Sequence, residues 1–441
     1  MGNILTNSLK RINFRLFGVL VLMSLLPTLY VTVRIHFIGA LPGDWGYNIA
    51  SQISWLNVTY EVIHEALMLP MFFLLGRFLK NKRNFENAVS NGLILVVILY
   101  AVLSTVTAVF ARQMIVLMAQ RTDLVDATVD YIRLEAASLV LSAVMRYFTL
   151  VLITIKRDAY LLAVLCIQLV LSVILDSVFL SSLSFSLQLG VNGIAYTNII
   201  VNTVLIVLLV WFLRRENVNL FSKQFIVDWR WLKDWLRIGG ISGLESFVRN
   251  AAFILMVIRL VNVVQEQGTF WVTNNFIWGW LLIPVLALGE LIKRDAAEDP
   301  QSVIKNEPAY IFLTSLFIGL WFITIPFWKG FIINVMGVSN FEVIFKLSLV
   351  SLGFYIVFAF NNIADSVFYG RGRTDLMLYQ SLIVNTLFYG CLFIFYRFGI
   401  YKPTLIGITI MFGTGIAIDS FITFIMYKQF RRRLARELSN R

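Results

Sequence analysis

Apolar residues in this chain do not alternate with polar ones at the strand period of two. They run on for about twenty positions at a time and are broken by short polar stretches. Twelve such runs predict spans at approximately 16–38, 52–76, 92–111, 129–154, 159–181, 189–213, 237–262, 270–292, 308–328, 345–370, 376–396 and 403–427. A run of about 20 apolar residues crosses a bilayer as a helix, which satisfies every backbone N–H and C=O within the segment. The connections are short, so the pattern leaves no room for a soluble domain. The first run follows Lys10, Arg11 and Arg15, but it is long and lacks a small-x-small cleavage site, so it reads as a retained helix and not a signal peptide.

Composition points the same way. The 441 residues are 59% hydrophobic and 14% charged, with a mean hydropathy of +0.79, too little polar surface to cover a water-soluble globule. Charge adds orientation. Loops on one side, both termini included, hold 26 Lys and Arg residues against 6 on the other, which places both termini and the central loop in the cytoplasm and requires an even number of spans. The net charge of +12 is then a matter of topology facing lipid headgroups, with no nucleic-acid partner implied. The expected location is a cell membrane, inner or plasma.

Several chemistries are excluded. Cys166 and Cys391 both lie in apolar stretches, and with His36 and His64 they supply neither a disulfide framework nor a zinc-ligand spacing. No GxxxxGK[ST] segment is present to cradle ATP phosphates. The chain reads as a non-enzyme without a cofactor, apart from Na+ or H+ as a coupling ion, and its site must lie among the spans.

The segment 214–236 mixes charges with Phe221, Phe225, Trp229, Trp231 and Trp235, as expected of an amphipathic stretch in the cytoplasmic interface. It divides the chain into lobes at 1–213 and 237–427, with a basic tail at 428–441. The lobes resemble each other. Pro70 precedes Leu75-Gly76-Arg77-Phe78-Leu79-Lys80, and Pro284 precedes Leu288-Gly289-Glu290-Leu291-Ile292-Lys293, each at the end of the second span of its half. Six spans per copy keep one orientation, so the repeats are related by an axis along the membrane normal, with a substrate site expected near the midplane.

Several local patterns, taken in order, resemble the multidrug and toxic compound extrusion (MATE) transporters. They are Leu29-Tyr30 with Phe37-Ile38-Gly39, Tyr131-Ile132-Arg133, Leu175-Asp176, Leu189-Gly190-Val191-Asn192-Gly193-Ile194-Ala195, Gly243-Leu244-Glu245, and Gly370-Arg371-Gly372-Arg373-Thr374-Asp375. The resemblance covers nearly the whole chain. It implies an all-α integral membrane fold of twelve transmembrane helices in two six-helix repeats, a V-shaped bundle that exports organic compounds in exchange for Na+ or H+ by alternating access. It also implies an aspartate in span 1 that takes part in cation binding; Arg34 stands there instead, while the span 5 acid is kept as Asp176. The span 7 proline is Ile241 here, with Arg249 two turns on, and the span 10 acidic position falls near Phe360 to Asn362, with Asp365 close by.

A charge at a helix centre costs about 2.5–3.5 kcal/mol on the insertion scale, so each one must face protein or water. Arg34, Glu61, Glu65, Arg146, Asp176, Glu245, Arg249, Asp365 and Asp419 are mid-span, whereas Arg133, Glu135, Arg259 and Glu290 lie nearer span ends. Arg34 and Arg249 hold near-equivalent places in the two halves, and both are expected to point into a cleft and make it positive, suited to phosphate or carboxylate groups. The competing reading pairs Arg34 with Asp176 and Arg249 with Glu245, Arg34 then standing in for the coupling cation. Glu61, His64 and Glu65 share one face of a helix and are candidate proton carriers, with a hydrogen-bonded structural face as the alternative. Asp176, Glu245 and Asp365 complete the candidate coupling set. Asn198, Asn202, Asn274, Asn275, Trp278, Asn361 and Asn362 are candidate substrate contacts or helix partners. Gly239, Gly240 and Gly243 permit close helix approach.

The function expected is export of small organic substrates by cation antiport with atypical coupling residues. One alternative is a flippase for lipid-linked or phosphate-bearing amphiphiles. A second, of a different class, is a non-transporting membrane receptor or scaffold.

Overall fold

The computed structural model describes residues 2–41, 45–79, 81–155, 157, 159–221, 225–227 and 232–439. In chain order the helices are α1 (Gly2–Arg11), α2 (Phe14–Gly39), α3 (Trp45–Ala50), α4 (Ile53–Phe78), α5 (Lys82–Val109), α6 (Ala111–Leu117), α7 (Val125–Thr154), α8 (Ala159–Phe179), α9 (Asn192–Arg215), α10 (Leu232–Phe253), α11 (Arg259–Val263), α12 (Gln267–Phe276), α13 (Ile283–Glu298), α14 (Ser302–Lys305), α15 (Glu307–Asn334), α16 (Phe341–Gly370), α17 (Thr374–Ile383), α18 (Gly390–Arg397) and α19 (Leu405–Ser439). Among the described residues there is no strand.

Among the described residues, ten helices are long and apolar enough to cross a membrane, and a bent pair, Gln267–Leu281 with Ile283–Glu298, raises that to eleven. The helix α4 has 26 residues but is interrupted by Glu61, His64 and Glu65, and it falls outside that set. The second predicted span is a helix of sufficient length, with Glu61, His64 and Glu65 on it.

The bent pair turns by 56°, and Pro284 sits in the first turn of α13. Proline has no N–H to give a preceding turn, so it is tolerated where a helix restarts and breaks one that runs through. Just before it, Ile277–Leu281 is a π-helical turn, as are Ile254–Ile258 after α10 and Val384–Tyr389 after α17. Each turn inserts a residue into the helical ladder and rotates the remainder of the helix about its axis.

By internal packing the chain falls into two compact units, one of Val33–Gly268 and one of Met1–Thr32 with Thr269–Arg441. The packing boundary falls within α2 and at Gly268, whereas the boundary expected along the chain was the segment 214–236. In the first unit α4 packs on α10, α7 on α9 and α5, and α8 on α9. Small residues make the α4–α10 contact close. Gly239 lies against the carbonyl of Ala66, and a Cβ at Gly243 would stand 2.7 Å from the Cβ of Ala66. A reciprocal amide pair joins α11 to the start of α4. Gln52 donates to Asn262 Oδ1 at 2.8 Å, and Asn262 donates back to Gln52 Oε1 at 3.2 Å.

The segment after α9 is not helical over its described residues and is strapped onto α5. Glu86 accepts from the backbone N–H and side-chain amide of Asn219 at 2.9 and 3.2 Å, Ser90 accepts from Phe221 N–H at 3.0 Å, and Asn87 from Ile226 N–H at 2.9 Å. Phe221 is exposed and Trp235 buried, while Trp229 and Trp231 lie outside the described residues. The second unit is built on α16, which packs on α19, α13 and α15, with α1 lying against α15.

Candidate functional site

The chemistry of the first unit is concentrated in two groups of ionisable side chains. The inner group centres on Arg34 of α2. Its Nε donates to Asp176 Oδ2 at 2.8 Å and its Nη2 to Asp176 Oδ1 at 3.3 Å, and the two side chains are only 11% and 1% exposed. Beside them Glu135 of α7, also buried, accepts from Asn198 of α9 at 2.8 Å. One turn on, Asn202 donates to Ser138 at 3.4 Å. Both candidate amides of α9 therefore serve as partners of α7. A bidentate arginine–carboxylate pair is the strong form of a buried ion pair, and it neutralises Asp176 from within the chain.

The outer group lies along α4. Glu65 accepts from Arg249 Nη2 at 2.8 and 3.1 Å, and Glu61 lies 3.7 Å from Arg146 Nη1 of α7. These pairs are open: the side chains of Arg249 and Glu65 are 43% and 23% exposed, those of Arg146 and Glu61 51% and 45%. His64 sits between the two acids on the same helix, and its Nδ1 is buried without a hydrogen-bond partner. Tyr100 and Tyr60 of the neighbouring face have ring centroids 5.7 Å apart, and the Tyr60 hydroxyl shares a 2.7 Å hydrogen bond with Ser104.

The two arginines expected to line a positive cleft thus have different environments. Arg34 is enclosed and held by Asp176. Arg249 keeps an open side chain, and the partner found for it is Glu65 of α4. The side chain of Glu245 lies outside those described. Arg146, not singled out as a substrate contact, is the second open guanidinium. A sequence signal existed, since it is a mid-span arginine, but its proximity to Glu61 depends on how α4 and α7 pack.

Of the charges placed near span ends, Glu135 is buried in the inner group, whereas two arginines reach backbone carbonyls. Arg133 donates to the carbonyl of Ala108 at 3.1 Å and Arg259 to that of Leu117 at 2.8 Å, satisfying acceptors near the ends of neighbouring helices.

In the second unit the candidates are dispersed along three elements. Asn361 donates to Asp365 Oδ2 at 2.8 Å, and Asp365 Oδ1 is buried without a hydrogen-bond partner. Gln380 of α17 donates to Asp419 of α19 at 2.7 Å. Asn362 donates to the carbonyl of Val285 at 3.0 Å, a helix-to-helix contact. Trp278 donates to the Tyr355 hydroxyl at 3.0 Å, with Phe358 packed 5.2 Å from its ring. Asn275 bonds its own helix through the carbonyl of Trp271 at 2.9 Å, and Asn274 is partly buried on α12. Among the described residues no group of three His, Cys, Asp or Glu side chains could hold a metal ion.

No protein-family model matches the chain, and no curated protein matches it. Solved structures define its class: it has the all-α, multi-pass membrane fold of MATE transporters of the MOP superfamily. A multidrug resistance MATE family transporter of that superfamily, in an inward-facing conformation, is similar with a TM-score of 0.74 and 17% identity, over 93% of this chain and 95% of the other. A MOP superfamily transporter from Pyrococcus furiosus Vc1 (DSM3638), described as having a binding pocket of reverse polarity that suggests a different function, gives a TM-score of 0.69 and 17% identity over 95% of each chain. A point mutant of the Vibrio cholerae MATE transporter VcmN gives 0.68 and 18% identity over 98% of each.

Proposed function

We propose that this chain is a MATE-type secondary transporter of twelve spans in two six-helix repeats. It carries organic compounds with an anionic group out of the cytoplasm by alternating access, using Arg249 and Arg146 as the anion contacts. The observation that carries this reading is the half-exposure of two mid-helix guanidiniums. Such groups stay charged at any working pH, and a position against acyl chains is too costly for them, so their open faces meet water or substrate. Each presents planar N–H donors suited to carboxylate, phosphate or sulfonate.

Coupling through the N-terminal acids is unlike that implied for the family. The guanidinium of Arg34 occupies Asp176 bidentately, which supports the reading that this pair replaces a bound cation. Asp365, with a buried oxygen lacking a hydrogen-bond partner, is a candidate for cation or proton antiport in the second unit.

The reversed polarity described for the Pyrococcus furiosus transporter is in keeping with an anionic cargo here. Anionic heads occur on soluble organic acids and on phosphate-bearing lipids, and the test separates the two. Thermal stabilisation of the purified protein is measured with hexyltrimethylammonium, a neutral hexyl glycoside, hexanesulfonate and a short-chain phosphatidic acid. Stabilisation by the anions that is lost in Arg249→Ala is expected. A preference for the cation that survives Arg249→Ala sinks the reading. Movement of the phosphatidic acid but not of soluble anions in proteoliposomes identifies a flippase, and the reverse an exporter.

A further inference from the structure

In their present positions the open arginines already have anionic partners, so an incoming anion must displace one. We propose that Glu61 and Glu65 are resident counter-ions of the anion site, and that an anionic head group replaces them on Arg146 and Arg249 while the released carboxylate takes up a proton. This rests on the anion-carrier reading above and specifies how the site changes charge.

The geometry grades the two pairs. Arg249 Nη2 reaches both oxygens of Glu65 at 2.8 and 3.1 Å, so exchange there breaks charge-assisted hydrogen bonds. Arg146 stands 3.7 Å from Glu61, beyond hydrogen-bond range, and is the easier guanidinium for an anion to approach. All four side chains are partly exposed, which gives an anion and water access without unfolding the helices.

Once Arg249 turns to an incoming anion, Glu65 is a carboxylate within a span without the cation that held it. Separated from that cation, the carboxylate is costlier to keep ionised within a span, and binding a proton from water removes the charge. Among the described residues, groups that act on the acids from neighbouring elements include Arg146 of α7, Arg249 of α10 and Tyr100 of α5. On α4 itself are His64, whose Nδ1 is buried and without a partner, and Tyr60. Arg146 already faces Glu61, so it does not take over from Arg249 at Glu65. The proton reaches the acid from water, to which the partly exposed side chains of Glu61 and Glu65 are open.

The step balances. An O–H bond forms on the carboxylate with a proton from water, the guanidinium keeps its protons, and the N–H···O contacts pass from Glu65 to the anion. One negative charge and one positive charge enter together. The proton therefore travels with the cargo, in the opposite sense to antiport, and the loaded site carries the same net charge as the empty one.

The full chain in detergent and weak buffer, with a pH-indicator dye, is titrated with hexanesulfonate, whose own charge is constant over the working range. The expected result is proton uptake approaching about one per bound anion, with affinity rising by up to about tenfold for each pH unit lowered. In Glu65→Gln the anion binds more tightly, its affinity no longer follows pH, and uptake falls sharply. Glu61→Gln, at the looser pair, lowers uptake by less, and it carries the comparison if Glu65→Gln does not fold. Sulfonate binding at pH-independent affinity with no proton uptake overturns the exchange while leaving the anion site standing, and so does undiminished uptake in both variants. Release of protons overturns it as well. If the wild-type protein binds no sulfonate at any pH, the anion-carrier reading itself fails.

Discussion

Arg34 and Asp176 show how one pair can have a different worth from its parts. Both are buried, and the bidentate contact compensates each for the water it has lost in that interior. Removing one partner strands the other, at a cost of about 3–5 kcal/mol, whereas replacing both by apolar side chains of similar size is close to neutral. Arg34→Met or Asp176→Leu alone is therefore expected to lower the thermal midpoint in detergent strongly, and the double substitution to recover most of the loss. Equal, additive losses would mean that the two do not act as a pair. The residue types were legible in the sequence, as was this pairing as one of two readings. Choosing between them needed the burial of Arg34, which depends on where α2, α7 and α8 meet and not on any local spacing.

At the scale of elements, the α4–α10 contact brings Arg249 to Glu65, and its closeness comes from glycine. The three glycines of α10 have different surroundings. A Cβ on Gly239 would meet the Ala66 backbone carbonyl, one on Gly243 would meet the Ala66 Cβ at 2.7 Å, and one on Gly240 would meet nothing within 4 Å. Overpacking a helix contact costs about 1–3 kcal/mol, and backbone yields less readily than side chain. Gly239→Ala is expected to be the most destabilising of the three and Gly243→Ala intermediate. Gly240→Ala should be neutral or slightly stabilising, because alanine is the better helix former. Thermal unfolding of the three variants checks the order, and a harmful Gly240→Ala would contradict it. Sequence reading recognised these glycines as a close-approach motif but had no means of telling the tight ones from the open one. It also missed the three π-helical turns, because a single inserted residue does not disturb a continuous apolar run. The broken eighth span was better marked, since Pro284 carries its own backbone constraint.

For the whole molecule, the asymmetry of Lys and Arg makes a prediction about topology that packing alone cannot make. Both termini are expected in the cytoplasm, so reporters fused at either end that fluoresce only in the cytoplasm should both be active. A silent C-terminal fusion beside an active N-terminal one would require an odd number of spans.

The sequence by itself determined the solvent and the helical class. Those properties are sums over many residues, and a long apolar run has one inexpensive solution in a bilayer whatever its neighbours do. It also named nearly every charged side chain of the candidate site, since a charge in such a run is conspicuous. Tertiary structure alone decided which charges neutralise each other. Arg34 meets an acid 142 positions away and Arg249 one 184 positions away. Ion pairing falls off within a few ångströms and is set by helix packing, so no pattern along the chain distinguishes the enclosed guanidinium from the open one.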